Sequence, residues 1–153
     1  MAINPQIIAS PAPAITPSPS AVCPASSPHS IGEESSACAA ACGDAAAAAI
    51  APYFRVSLEV EDKGGRLYDP VTVADKAAED AMRSLIQERY PSHGILGEEQ
   101  GVAVGTSPLT WVLDPIDGTR AFITGLPLWG TLIALNDGTK PVVGVMNQPF
   151  TGE

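Results

Sequence analysis

The chain has 153 residues, with 17 acidic against 8 basic side chains, a formal charge of −9 and three cysteines. That charge leaves no basic patch to neutralise nucleic-acid phosphates, and it disfavours a bare anionic substrate unless bound cations reverse the local field. No apolar run approaches the roughly 18 residues of a membrane span.

Residues 1–32 contain no Lys, Arg, Asp or Glu and hold seven of the fifteen prolines. They read as a disordered Pro/Ala/Ser-rich leader. The stretch lacks the basic and apolar regions of a secretory signal and the arginines of a transit peptide. Residues 33–153 are enough for one domain of modest size. The cysteines are Cys23, Cys38 and Cys42. Their odd count and lack of a spaced framework point to a reducing, cytoplasmic setting, and Cys38 and Cys42 read as neighbours on a helix face.

Residues 33–52 are dominated by alanine and predict a helix with a smooth face. Val56, Leu58 and Val60 alternate as in a half-buried strand, ended by Gly64-Gly65. A second helix follows Thr72, with Thr72 and Asp75 spaced as a capping box. Its apolar stripe is Ala74, Ala78, Ala81, Met82 and Leu85. Lys76, Glu79, Asp80 and Arg83 read as its solvated face, and Pro91 stops it. GILGEE, LTWVLD, GTLIAL and PVVGVM read as strands, the last two joined by the turn Asn136-Asp137-Gly138-Thr139. GTRAFITG fits a two-turn helix ending at Gly125. The order of elements suggests helices packed on a mostly antiparallel sheet, an α+β fold.

Three acidic sites stand out: Asp75 at a helix start, Glu98-Glu99 at a strand end, and Asp114 with Asp117 in WVLDPIDGTR. Singly, they read as a cap, a solvated turn and an Asp-Gly turn. Together they read as chemistry. Pro115 makes a rigid corner between the two aspartates and frees the Ile116 carbonyl from the strand ladder. Carboxylates plus a main-chain carbonyl form a hard oxygen site suited to Mg²⁺. Gly118 and Thr119 then open a helix whose amides can face an anion. Metal and phosphate binding from one short stretch points to phosphoryl chemistry on a small phosphorylated substrate.

LDPIDGT, preceded by GEE and by VTVAD, resembles the inositol monophosphatase-like family of Mg²⁺-dependent, lithium-sensitive phosphatases, over roughly residues 33–153. TRAFITGLPLWGTLIAL, YDPVT and PYFR resemble its histidinol-phosphate phosphatase branch. The resemblance implies the N-terminal portion of a layered αβαβα sandwich, with two helices on an antiparallel sheet. It implies that Glu98, Asp114, the Ile116 carbonyl and Asp117 bind metal. Glu98 would also help activate the nucleophilic water, with Asp75 and Thr119 orienting it. The amides of Gly118 and Thr119 would hold the substrate phosphate. Glu99, Lys63 and Arg120 are either substrate-facing or structural, and His93 is a turn residue rather than a ligand.

The implied reaction is direct hydrolysis of a phosphate monoester, histidinol phosphate first, within histidine biosynthesis. Inositol monophosphatase or 3′-nucleotidase activity is the alternative. Full-length family members are expected to be homodimers. They also carry a further aspartate in a Trp-Asp motif, whereas Trp111 and Trp129 are followed here by Val and Gly. The expectation is therefore an N-terminal half lacking its C-terminal half, with little activity alone. A non-catalytic metal-binding or interaction fragment is the reading from another class.

Overall fold

The computed structural model describes residues 28–57, 59–64 and 70–153. Residues 1–27, most of the expected leader, and Leu58 and Gly65 lie outside the described residues. Helix α1 runs Pro28–Ile50 and continues as a 3-10 turn over Ala51–Tyr53. It starts within the stretch read as leader. Short strands β1 (Val60–Asp62) and β2 (Pro70–Thr72) pair antiparallel and lead into α2 (Val73–Arg89). Then come β3 (Gly94–Gly97), β4 (Gly101–Ala103), β5 (Thr110–Asp117), α3 (Thr119–Ile123), β6 (Gly130–Asn136) and β7 (Pro141–Asn147).

The main sheet has the order β4-β3-β5-β6-β7. It is antiparallel except between β3 and β5, which run parallel. The expectation of two helices on a mostly antiparallel sheet is met, with that one parallel pair and the short β4 as additions. The parallel pairing lets β3 and β5 end side by side, with Gly97 opposite Leu113. The GEE and DPIDGT segments therefore leave the sheet from the same end.

The strand expected to start at Val56 is not formed there; Val56 is exposed, and pairing begins only at Val60. With just a three-residue partner in β2, the ladder has nothing to pair with further upstream.

Helices α1 and α2 pack on each other and cover one face of the sheet. The buried face of α1 is made of Ser35, Cys38, Ala39, Cys42, Ala46 and Ile50. Small side chains there allow close approach: Asn147 Nδ2 reaches the Gly43 carbonyl at 2.9 Å. Trp111, Leu113, Ile133 and Leu135 fill the core from the sheet side. The other sheet face exposes Leu96, Val112, Val142 and Met146. Among the described residues, no helix is long and apolar enough to cross a membrane.

Candidate active site

The DPID corner is a β-bulge in a central strand. Asp114 pairs with Leu132 and Asp117 with Gly130, three steps along β5 against two along β6. Pro115 has no N–H to give to a ladder, so a bulge is where a central strand can hold it. The Thr131 hydroxyl donates to the Pro115 carbonyl at 2.8 Å and fixes the bulge from the neighbouring strand. The next carbonyl, of Ile116, accepts from the Thr119 hydroxyl at 3.0 Å. Gly118 turns the chain between them at φ 92°, a left-handed conformation suited to glycine. The short α3 follows, and Gly125 at φ 75° terminates it.

The GEE turn sits beside this corner. The Glu98 amide donates to the Leu113 carbonyl at 3.0 Å, one residue before Asp114. Lys63 Nζ lies 2.9 Å from both Glu98 Oε1 and Glu99 Oε1. Lys63 thus bridges both carboxylates with its single positive charge, and although burial opposes it, these two bonds raise its pKa.

Asp75 forms the expected capping box. Its Oδ2 accepts from the Thr72 amide at 2.8 Å and the Thr72 hydroxyl at 2.6 Å. The side chain is 1% exposed, and burial pushes its pKa up against those hydrogen bonds. The Thr119 hydroxyl, expected to orient water together with Asp75, donates a hydrogen bond to the Ile116 carbonyl.

Glu98, Asp114, Ile116, Asp117, Gly118, Thr119 and Arg120 line one concavity of about 320 Å³, together with Pro70. Burial, then the hydrogen bond and charge of Glu98, then Asp117 and Asp75, raise the Asp114 pKa to about 8. Glu98 goes the other way: burial opposes, but the Lys63 ammonium and a hydrogen bond from Asp114 hold its carboxyl below the usual range. Of the pair, Asp114 is the more readily protonated.

Among the described residues, no three His, Cys, Asp or Glu side chains already stand grouped to hold a metal ion. The donor set nevertheless fits a hard divalent cation. Every candidate ligand is oxygen, three carboxylates face one concavity, and Asp114 Oδ1 is buried without a hydrogen-bond partner. A cation there would offset the burial and the neighbouring negative charges that raise the Asp114 pKa.

Two residues read as solvated are not. Glu79 is 0% exposed and Arg83 7% exposed, and they form an ion pair at 2.7 Å. The turn after β3 lands on this helix face, and its amides need a buried acceptor: Glu99 N and Gln100 N donate to Glu79. The i,i+4 spacing signalled the pair; an i,i+4 pair on a helix surface looks the same in sequence. His93 is structural as expected. Its Nδ1 accepts from Trp111 Nε1 at 3.1 Å, and its ring stacks on Tyr90.

The inositol monophosphatase family model matches residues 33–153. The chain is 47% identical over 115 residues to the bifunctional phosphatase IMPL2, chloroplastic, of Arabidopsis thaliana, covering 74% of this chain and 33% of that protein. It is 46% identical over 114 residues to a histidinol-phosphatase of Streptomyces coelicolor, covering 71% and 42%. An inositol monophosphatase from Mesembryanthemum crystallinum is 41% identical over 108 residues, covering 65% of this chain and 39% of that protein. Among solved structures, an inositol monophosphatase from Zymomonas mobilis superposes with a TM-score of 0.65 at 44% identity, covering 79% of this chain and 46% of that one. The chain thus spans less than half the length of these relatives. Matched along the whole stretch that carries the VTVAD, GEE and DPIDGT segments, this chain belongs to the inositol monophosphatase family.

Proposed function

We propose that this chain carries the metal- and phosphate-binding part of a Mg²⁺-dependent phosphatase whose substrate is a small phosphate monoester. One observation carries the reading: the GEE and DPIDGT residues Glu98, Asp114, Ile116, Asp117, Gly118 and Thr119 line a single concavity. Histidinol phosphate is the first choice of substrate, supported by the TRAFITGLPLWG segment and by the histidinol-phosphatase relatives. An inositol phosphate or a nucleotide 3′-phosphate is the alternative.

Glu98, Asp114, Asp117 and the Ile116 carbonyl would hold the cation. When bound, it supplies positive charge to the phosphoryl oxygens and lowers the pKa of a water. The protein's own groups do the rest. Asp114 would serve as a ligand in its carboxylate form. Thr119 Oγ1, with its hydrogen committed to Ile116 O, keeps lone pairs that can accept from a water. The buried Asp75 carboxylate holds β2 against α2 and adds negative charge beside Asp114. Gly118 and Thr119 line the same concavity, where their amides would hold the substrate phosphate.

Calorimetric titration of Mg²⁺ into the 153-residue chain, set against Asp117→Ala, tests the metal site. Identical titrations would overturn it. Substrate choice is read from phosphate release by a chimera carrying the remaining length of the Streptomyces coelicolor relative. Histidinol phosphate should be hydrolysed faster than inositol phosphate or a 3′-nucleotide.

A second reading is a metal-binding module without catalysis, in which the acidic corner holds a cation but Thr119, bonded to the Ile116 carbonyl, orients no water. The 153 residues alone should then release little phosphate from histidinol phosphate; robust Mg²⁺-dependent release would remove that reading. A reducing compartment such as the cytoplasm fits Cys38 and Cys42, both buried as free thiols.

A further inference from the structure

Glu98 lines the site, with its amide tied to the Leu113 carbonyl of β5 and its carboxylate to Lys63. The backbone of the next three residues, Glu99, Gln100 and Gly101, is held by α2. Glu79 Oε2 accepts from the Glu99 amide at 2.8 Å, and Oε1 accepts from the Gln100 amide at 3.1 Å. Arg83 Nε donates to Glu79 Oε1 at 2.7 Å, while its Nη2 donates to the Gly101 carbonyl. One carboxylate and one guanidinium thus grip three consecutive residues of the turn. Asp80 adds a fourth contact from the same helix, accepting from Gln100 Nε2 at 2.8 Å.

Gly97 shows how tight the grip is. A Cβ built there would collide with Glu79 Oε1 and Cδ and lie 2.7 Å from Arg83 Nη2. The glycine of GEE is therefore the clearance that lets a buried ion pair reach the turn. A buried ion pair is weak evidence for stability, because desolvation offsets its Coulombic gain. Its value here is geometric. Both Glu79 oxygens are engaged, Oε1 by Arg83 and the Gln100 amide and Oε2 by the Glu99 amide, which ties the turn to the ion pair.

We infer that Glu79, locked by Arg83, is a positioning residue of the site: it holds the Glu98–Gly101 turn and so sets where the Glu98 carboxylate meets Asp114. The inference rests on the proposed metal-binding role of Glu98. Glu79 touches neither substrate nor metal; it acts through the backbone of the two residues that follow Glu98. Support of this kind behind a ligand is worth about 10–100-fold in metal affinity.

The test uses the full chain and Glu79→Gln, which keeps the shape but turns one acceptor into a donor facing an amide. Two readouts are taken: amide hydrogen exchange at Glu99 and Gln100 without metal, and Mg²⁺ affinity by calorimetry. Glu79→Gln should speed exchange at those two amides while leaving Ala78 and Met82 protected, and should weaken Mg²⁺ binding about tenfold. Unchanged exchange overturns the clamp. Faster exchange with wild-type Mg²⁺ affinity overturns its role in placing Glu98. If Glu79→Gln does not fold, Arg83→Lys takes its place, since it keeps the charge but cannot span both Glu79 and Gly101. It should weaken Mg²⁺ binding in the same direction, and wild-type affinity in Arg83→Lys overturns the inference. Wild type titrating like Asp117→Ala would instead overturn the metal reading, leaving the clamp to be judged on amide exchange alone.

Discussion

The Thr131 hydroxyl donates to the Pro115 carbonyl at 2.8 Å, across two strands and inside the bulge that separates Asp114 from Asp117. A sheet-core hydroxyl therefore sets the geometry of the acidic corner. Thr131→Val keeps the volume but orphans a buried carbonyl, which costs about 1–3 kcal/mol. Urea unfolding should show that loss, and Thr131→Ser, which keeps the hydroxyl, should lose only about 0.8 kcal/mol for the missing methyl. If both variants lose the same amount, the hydrogen bond does not hold the bulge.

Asp114 gives a pH signature in the metal-free protein. Its pKa rises from 3.8 to about 8 on folding, first through burial and then through Glu98. Between those values the native state binds a proton that the unfolded state has lost. Stability therefore falls as pH rises through the window and levels off above about pH 8. Asp114→Asn lacks this proton. Its stability advantage over wild type should grow from about pH 4 to about pH 8, as read by denaturant midpoints. Saturating Mg²⁺ should reverse the order, because the ion stabilises only the carboxylate. A pH-independent difference would show that folding does not raise the Asp114 pKa.

Much of this site was legible in sequence because its signals are local. The capping box needs only Thr72 and Asp75, and the DPID corner needs only a proline between two aspartates. Residues that act across the fold were not legible. Glu79 and Arg83 carry the pattern of a solvated helix face, and only the turn after β3 landing on them makes them buried. Thr131 looks like any strand threonine until β5 bulges beside it. The alternation at Val56 and Leu58 suggested a longer strand, but a strand extends only as far as its partner does. The parallel β3–β5 pairing, which brings the two motifs together, had no signal of its own.

His93 predicts an acid-sensitive contact. Its Nδ1 accepts from the Trp111 indole, and burial lowers its pKa below 6.5. The native state thus favours neutral imidazole, so this stability is full above the unfolded value and is lost as pH falls through 6.5 towards the lower folded value. His93→Phe keeps a ring against Tyr90 but gives the indole no acceptor, costing ~1 kcal/mol near neutrality. The gap between variant and wild type should close on acidification below pH 6.5. Trp111 fluorescence in unfolding curves measures it; a gap that widens in acid would show that the imidazole is held protonated.

Gly118 and Gly138 separate backbone strain from crowding. Both have positive φ, 92° and 93°. A Cβ at Gly138 meets nothing closer than the Pro108 carbonyl at 3.9 Å, whereas at Gly118 it lies 2.7 Å from the Leu128 carbonyl and 3.3 Å from Trp129 Cα. Gly138→Ala should therefore cost only the left-handed penalty, roughly 1–2 kcal/mol. Gly118→Ala should cost at least about 1 kcal/mol more, because backbone on both sides must move. That movement displaces Thr119 and Ile116, so Mg²⁺ affinity should fall in Gly118→Ala and stay at the wild-type level in Gly138→Ala. Equal losses of stability would mean that the corner gives way easily, and would argue against a rigid junction between the acidic corner and α3.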